Sequence, residues 1–275
     1  MIKLKKTFDE LQVKRTIEFW YKKLEFPREC DQQFYDALDN VNLLAVINYD
    51  VDSSNNVDGR LNLLAFLYMC ESASKKCLEK KIDEQIIRDT FYDIVIWCKV
   101  WSKIKGELYL GETAWLKRHI NLKIFTLGRL QFCMNKSDFD IPKYDVKKGD
   151  NVIEIHIPVG DKLNLDVCKK SIENAKSFFK KHFPDYHYKI FICHSWLLDD
   201  TLNEFLDENS KILLFANLFD KVEKEESYVL FKYIFSYDTT IENIASRTPT
   251  SSFSKKIKQA ALDGKKFYET LGVLK

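Results

Sequence analysis

Five residues, Ile153-Glu154-Ile155-His156-Ile157, constrain the fold of this 275-residue chain more than any others. Side chains alternate across a β-strand, so such a stretch carries one apolar face and one polar face. Ile153, Ile155 and Ile157 then point into a core, while Glu154 and His156 share the opposite side. Residues 151–158 therefore read as a strand packed on one face. A carboxylate beside an imidazole can move protons. The competing reading is a solvated face, or a Glu154 paired with a neighbouring lysine.

The first 120 residues follow a different period. Ile87, Phe91, Ile94, Cys98 and Trp101 step by four, three, four and three, which is one face of a helix. Leu63, Leu64, Leu67 and Cys70 mark a second helix over 60–80, and Leu11, Ile17, Trp20 and Leu24 a third. Thr7-Phe8-Asp9-Glu10 has capping-box spacing ahead of that third helix. The polar stretch 49–59 (YDVDSSNNVDG) reads as a loop. Beyond 120 the pattern becomes mixed. A strand is expected over 123–134, with Gly128 inside it, and a turn-rich connection over 135–150. After the 151–158 strand come a helix over 165–182, a strand over 186–195 and a short helix over 200–207. Two more strands are expected over 211–219 and 228–236, and a helix over 251–271 closes the chain. The order argues for a mixed sheet with helices on its faces.

Composition narrows the function. Hydrophobic content of 45% and charged content of 31% are those of a folded protein. The 43 basic and 41 acidic residues nearly cancel, leaving +2. That balance speaks against nucleic-acid binding, which is driven by a strong positive field. No stretch approaches the roughly 18 apolar residues of a membrane span, and the N-terminus lacks the apolar core of a secretory signal. Cys30, Cys70, Cys77, Cys98, Cys133, Cys168 and Cys193 are an odd, scattered set without a C-x-x-C pair. Neither a disulfide framework nor a structural zinc site is expected, and the chain is read as cytoplasmic.

Two further places could carry chemistry. Pro158-Val159-Gly160-Asp161-Lys162-Leu163-Asn164 joins a strand to a helix, an arrangement that can present backbone N–H groups to a phosphate. One glycine is a weak fingerprint, and Asp161 would repel an anion unless it turned away. In Cys193-His194-Ser195-Trp196, neighbours on a strand point oppositely, so neither Cys193 nor Ser195 can easily use His194 as its base. The bland reading there is a strand end with a buried tryptophan anchor, although His194 could share a site with a neighbouring strand. His119, His182 and His187 read as surface or satisfied residues, and Trp97 and Trp101 as core.

Several segments resemble consecutive motifs of one family. They are Phe125-Thr126-Leu127-Gly128-Arg129-Leu130-Gln131-Phe132, Glu154-Ile155-His156-Ile157-Pro158, Gly160 with Leu163, and Ser171 with Ala175, Phe178 and Phe179. Cys193 to Leu198, Asn209-Ser210-Lys211-Ile212 and Arg247 to Ser251 follow in the same order. The chain is similar to bacterial GNAT-like acyltransferase-domain proteins, which pair a helical N-acyltransferase N-terminal domain with a GNAT-like C-terminal domain. The resemblance implies an α+β architecture: a helical domain over 1–120, then a GNAT-like mixed sheet flanked by helices over 121–275. It implies a sheet splayed at its centre, with acyl-CoA as co-substrate entering the gap and no metal. Residues 151–158 would line pantetheine, and 186–195 would be the splayed neighbour. Acyl transfer to an unidentified amine is the expected reaction, with acetyl-CoA as the first donor considered. Glu154 or His156 would be the base, His194 a further catalytic candidate, and Ile157, Val159, Gly160, Lys162, Leu163 and Asn164 the cofactor-binding residues. The chain departs from the family pattern in having one glycine in its phosphate loop and no tyrosine over 197–210. Tyr228, Tyr233 or Tyr237 could stand in if folding brought one near. The alternative is a module that binds CoA or another small ligand without catalysis, its helical half serving as a partner surface.

Overall fold

Short polar side chains set where the helices begin. The computed structural model describes residues 9–51, 58–160 and 162–275, so Thr7 of the expected capping box and Asp161 lie outside the described residues. The chain forms two compact units, Met1–Phe125 and Thr126–Lys275. In the first, Asp9 accepts the Gln12 N–H and starts α1 (Glu10–Lys23). Then follow α2 (Asp31–Asn40), α3 (Leu43–Ile47), capped by Asn42, and α4 (Gly59–Glu79), capped by Asp58. A carboxylate or amide oxygen at an N-cap satisfies N–H groups that the helix leaves unpaired. The period over 83–105 belongs to two helices, α5 (Glu84–Phe91) and α6 (Asp93–Lys105), the second ended by Gly106 at φ 75°. Finally comes α7 (Thr113–Ile120). Helix α4 is buried on every side from Asn62 through Leu67, and along one face beyond, at Cys70, Ala73 and Cys77. It is the axle of the unit: α1, α2, α3, α5, α6 and α7 all pack on it.

That packing encloses one buried carboxylate. Asp93, 2% exposed, accepts the indole N–H of Trp97 at 3.2 Å and that of Trp115 at 2.7 Å. His119, also buried, sets Nε2 3.2 Å from the same oxygen. His119 is thus a core residue beside a carboxylate, with neither ring nitrogen in a hydrogen bond, and Trp97 is buried in the core as its spacing suggests.

The second unit is built on a sheet of six strands in the order β1-β2-β3-β4-β6-β5. They are β1 (Ile124–Thr126), β2 (Gln131–Lys136), β3 (Asn151–His156), β4 (Phe191–Ser195), β5 (Phe219–Glu226) and β6 (Tyr268–Leu274). Helix α8 (Leu165–His182) occupies the range its periodicity predicts and connects the parallel strands β3 and β4. Helices α9 (Lys211–Ala216), α10 (Leu230–Ile234) and α11 (Ser252–Leu262) follow. Five expectations are corrected. The strand expected over 123–134 is two strands, because Gly128 (φ 86°) turns the chain and the Leu127 N–H closes on the Leu130 carbonyl. The strand expected over 211–219 is helix α9, started by Ser210, whose hydroxyl accepts the Leu213 N–H. The strand expected over 228–236 contains helix α10, which buries Leu230 and Phe231. The closing helix stops at Leu262, and β6 follows it between β4 and β5. A short apolar run suits a strand or a buried helix equally, so pattern alone could not separate these. The helix expected over 200–207 is a 3-10 turn at Asp200–Glu204.

Removing the Asp93 carboxylate takes the acceptor from the indole N–H groups of Trp97 and Trp115 and the carboxylate from beside the buried His119 ring. Asp93→Ala is expected to lower the unfolding free energy by about 3 kcal/mol, read as a drop in the urea midpoint.

Candidate active site

Strands β3 and β4 begin as hydrogen-bonded partners and then part. Ile153 pairs with Phe191 and Glu154 with Ile192, and there the parallel register ends. Beyond it β4 pairs with β6 on its other side, through Cys193↔Gly272, His194↔Leu271 and Ser195↔Thr270. The sheet therefore splays at its centre on the carboxyl side of its only parallel pair among the described strands. In open α/β sheets that is where ligands bind.

One face of the sheet at this gap is polar. Glu154 lies opposite Cys133 and His156 opposite Gln131 across the antiparallel β2–β3 pair, so these four side chains share a face. Ile153 and Ile155 are fully buried on the other, as the alternation requires. Glu154 accepts the Asn135 side-chain N–H at 2.9 Å, and its Oε2 lies 3.3 Å from Nε2 of His156. The two side chains keep 14% and 20% exposure. Burial works against a charge on His156, but the Glu154 carboxylate and the Cys133 side chain outweigh it and raise the imidazole to about 9. The neighbouring carboxylate thus favours a positive charge on the His156 ring.

His194 belongs to the same face, since Ile192, two residues back, is the partner of Glu154. Its Nε2 stands 3.6 Å from Glu225 of β5, and its ring meets Phe139 at 5.8 Å. Cys193 and Ser195 point the other way. Burial drives the Cys193 thiol well up, and the Ser195 hydroxyl accepts the Leu197 N–H. Neither forms a dyad with His194. Trp196 is half-buried rather than a buried anchor, and it stacks on Tyr233 at 6.2 Å. Folding thus brings Tyr233 to the end of β4; the Tyr228 hydroxyl donates to Glu226.

The connection from β3 to α8 holds the expected cofactor residues. Ile157 is half-buried, Val159 is 47% exposed, Gly160 (φ 134°) and Lys162 are exposed, and Leu163 is buried. Asn164 is the N-cap of α8, its Oδ1 accepting from the N–H groups of Asp166 and Val167. Those two donors are therefore occupied by the chain itself. Arg129 is a residue that sequence reasoning placed in a motif without a role. Its Nη1 donates to the Pro158 carbonyl at 3.0 Å, and its N–H donates to Ser171 Oγ of α8 at 2.8 Å. Gly128 is required beside it, because a Cβ there would meet Ser171 Oγ at 2.8 Å. The β1–β2 turn thereby pins the loop and sets a guanidinium at its start. Among the described residues no group of three or more His, Cys, Asp or Glu could hold a metal ion. None of the described helices is long and apolar enough to cross a membrane.

A mixed sheet opened between two parallel strands that are joined by a helical crossover is the architecture of GNAT-type acyltransferase domains. The chain belongs to that family: residues 124–274 match the GNAT-like C-terminal domain and residues 8–122 the N-acyltransferase N-terminal domain. No curated protein sequence matches it significantly. Solved structures that share its fold include a mutant acyltransferase in complex with octanoyl-CoA, with a TM-score of 0.78 at 18% identity, covering 95% of this chain and 88% of that one. An acyltransferase in complex with decanoyl-CoA and teicoplanin also has a TM-score of 0.78, at 17% identity over 94% and 87% of the two chains. A third, in complex with decanoyl-CoA, has a TM-score of 0.70 at 19% identity over 97% and 99%.

The raised His156 pKa has a consequence for stability. The unfolded ring titrates near 6.5 and the folded one near 9, so the pair contributes fully below pH 6.5 and its contribution is lost as pH rises through about 9. Chemical denaturation across that range should show the decline in the wild-type protein and a flatter profile in Glu154→Gln.

Proposed function

We propose that the protein transfers an acyl group from acyl-CoA to an amine by direct attack on the thioester. The observation that carries this is the gap between β3 and β4, flanked by Glu154 and His156 on one strand and His194 on the other. The thioester would lie in that gap with pantetheine along β3 near Ile157. The amine nitrogen would bond to the carbonyl carbon, and the carbon–sulfur bond would break to release CoA. Glu154, His156 and His194 are the groups available to carry the protons. Val159, Gly160, Leu163 and Asn164 would shape the loop at the cofactor's diphosphate. Lys162, together with Arg129, would supply its positive charge. Two donors of the α8 N-terminus are already spent on Asn164, which puts more of that task on side chains.

That same self-capped helix, behind a loop with a single described glycine at Gly160, favours a second reading: a module that holds CoA without turning it over. The acyl groups on the similar structures, octanoyl and decanoyl, extend the donor set beyond acetyl.

Isothermal titration with acetyl-, octanoyl- and decanoyl-CoA is expected to show binding. Release of CoA in the presence of a panel of primary amines is expected from the wild-type protein. Glu154→Gln and His156→Gln should each slow it by about 10²-fold or more. Binding without release would favour the second reading, and no binding of any of the three would overturn both.

A further inference from the structure

The β3–β4 register has a second implication for the site, one that rests on the acyl-transfer reading. Glu154 is level with Ile192, and each strand then advances two residues on the same face. His156 and His194 are therefore level with each other, one on each lip of the splay. Each imidazole has its own carboxylate. His156 has Glu154 at 3.3 Å on its own strand, with Cys133 and Gln131 facing it from β2. His194 has Glu225 at 3.6 Å, reached across β6, with Phe139 packed on its ring. Glu223 and Glu269 share that face by register, through Leu271↔Glu223 and Glu269↔Glu225. The pairs differ in their surroundings. Glu154 is 14% exposed, whereas Glu225 is 62% exposed and screened by water.

We propose that the two imidazoles divide the proton transfers of the reaction, His194 taking the proton of the attacking amine and His156 giving one to the sulfur of the departing CoA. As the nitrogen bonds to the carbonyl carbon, its proton passes to His194. The carbon–sulfur bond breaks with its electron pair on sulfur, and a ring proton of His156 completes the thiol. The products are the amide and CoA. His194 is left protonated and His156 neutral, and exchange with water restores both. The well-buried carboxylate beside His156 keeps a cation next to the nascent thiolate, the place where one stabilises most. The screened carboxylate beside His194 suits a ring that must accept a proton. His156 thus fills the role left open by the missing tyrosine over 197–210, and Tyr233, stacked on Trp196, is the rival for it.

The test uses the intact protein and CoA alone. The thiol of CoA is titrated through the ultraviolet absorption of its thiolate, free and bound, with the protein alone subtracted. Bound to the wild-type protein, the thiol should ionise about one pH unit lower than in solution, a tenfold gain in thiolate. His156→Gln should abolish that shift, and Glu154→Gln should shrink it. Should His156→Gln not fold, as judged by circular dichroism, Glu154→Gln decides. His194→Gln and Tyr233→Phe should leave the shift in place. A shift that survives loss of His156, one that vanishes in Tyr233→Phe, or its absence in the wild-type complex would overturn the assignment. Failure to bind CoA at all would instead overturn the acyl-CoA reading beneath it.

Discussion

The second unit turns on a pairing that stops early. A parallel pair of strands needs a long crossover, here α8, and the crossover helix covers one face of both. Had β3 and β4 stayed paired to their ends, the sheet would have been continuous and closed at its centre. Instead β3 leaves β4 after Glu154↔Ile192, while the other edge of β4 stays paired with β6 from Ile192 to Ser195, where Gly272 permits the fit. A Cβ at that position would meet Phe219 at 2.7 Å and Leu198 at 2.8 Å. The far edge of β4 is thus held firmly, by the packing of β6, β5 and the turn after β4.

Into that gap the fold directs polar groups that would be costly elsewhere in a core. Each is held by a neighbour from another strand: Glu154 by Asn135, and Gln131 by Thr126 through its side-chain amide. The loop between β2 and β3 closes the other end of the same face, with Ile141 and Val146 packed on Val152, Ile192, Leu271 and Val273. Lys143 and Tyr144 anchor that loop to Asp220 of β5. Polar residues and apolar cover therefore share one sheet surface, separated along the strands.

What could be read from sequence was whatever is local. The range of α8 follows from Asn164 and the spacing of Cys168, Ile172, Ala175 and Phe179, and the two faces of β3 follow from simple alternation. Residues whose meaning is a cross-strand neighbour stayed invisible. Cys133 matters because it lies opposite Glu154, Glu225 because it reaches His194 over β6, and Arg129 because its turn lands on Pro158 and Ser171. The same holds for Asp93 and His119, which are 26 positions apart and joined only by helix packing. Strand β5 was missed for another reason. Its sequence, FDKVEKEE, buries only Phe219 and carries its charges on an outer strand, so it lacks the apolar signature of a strand.

That charged outer strand governs how the sheet meets its surroundings. A sheet edge is an open row of hydrogen-bonding groups, and an uncharged one invites another chain to add a strand. Here one edge is β1, three residues long, and the other is β5, where Lys224, Glu225 and Glu226 are exposed. A second molecule extending the sheet along β5 would have to desolvate these charges. The splay, by contrast, is an interior opening bounded on both sides by strands of the same chain. The fold thus keeps its opening at the centre of the sheet and guards the margins where aggregation would start.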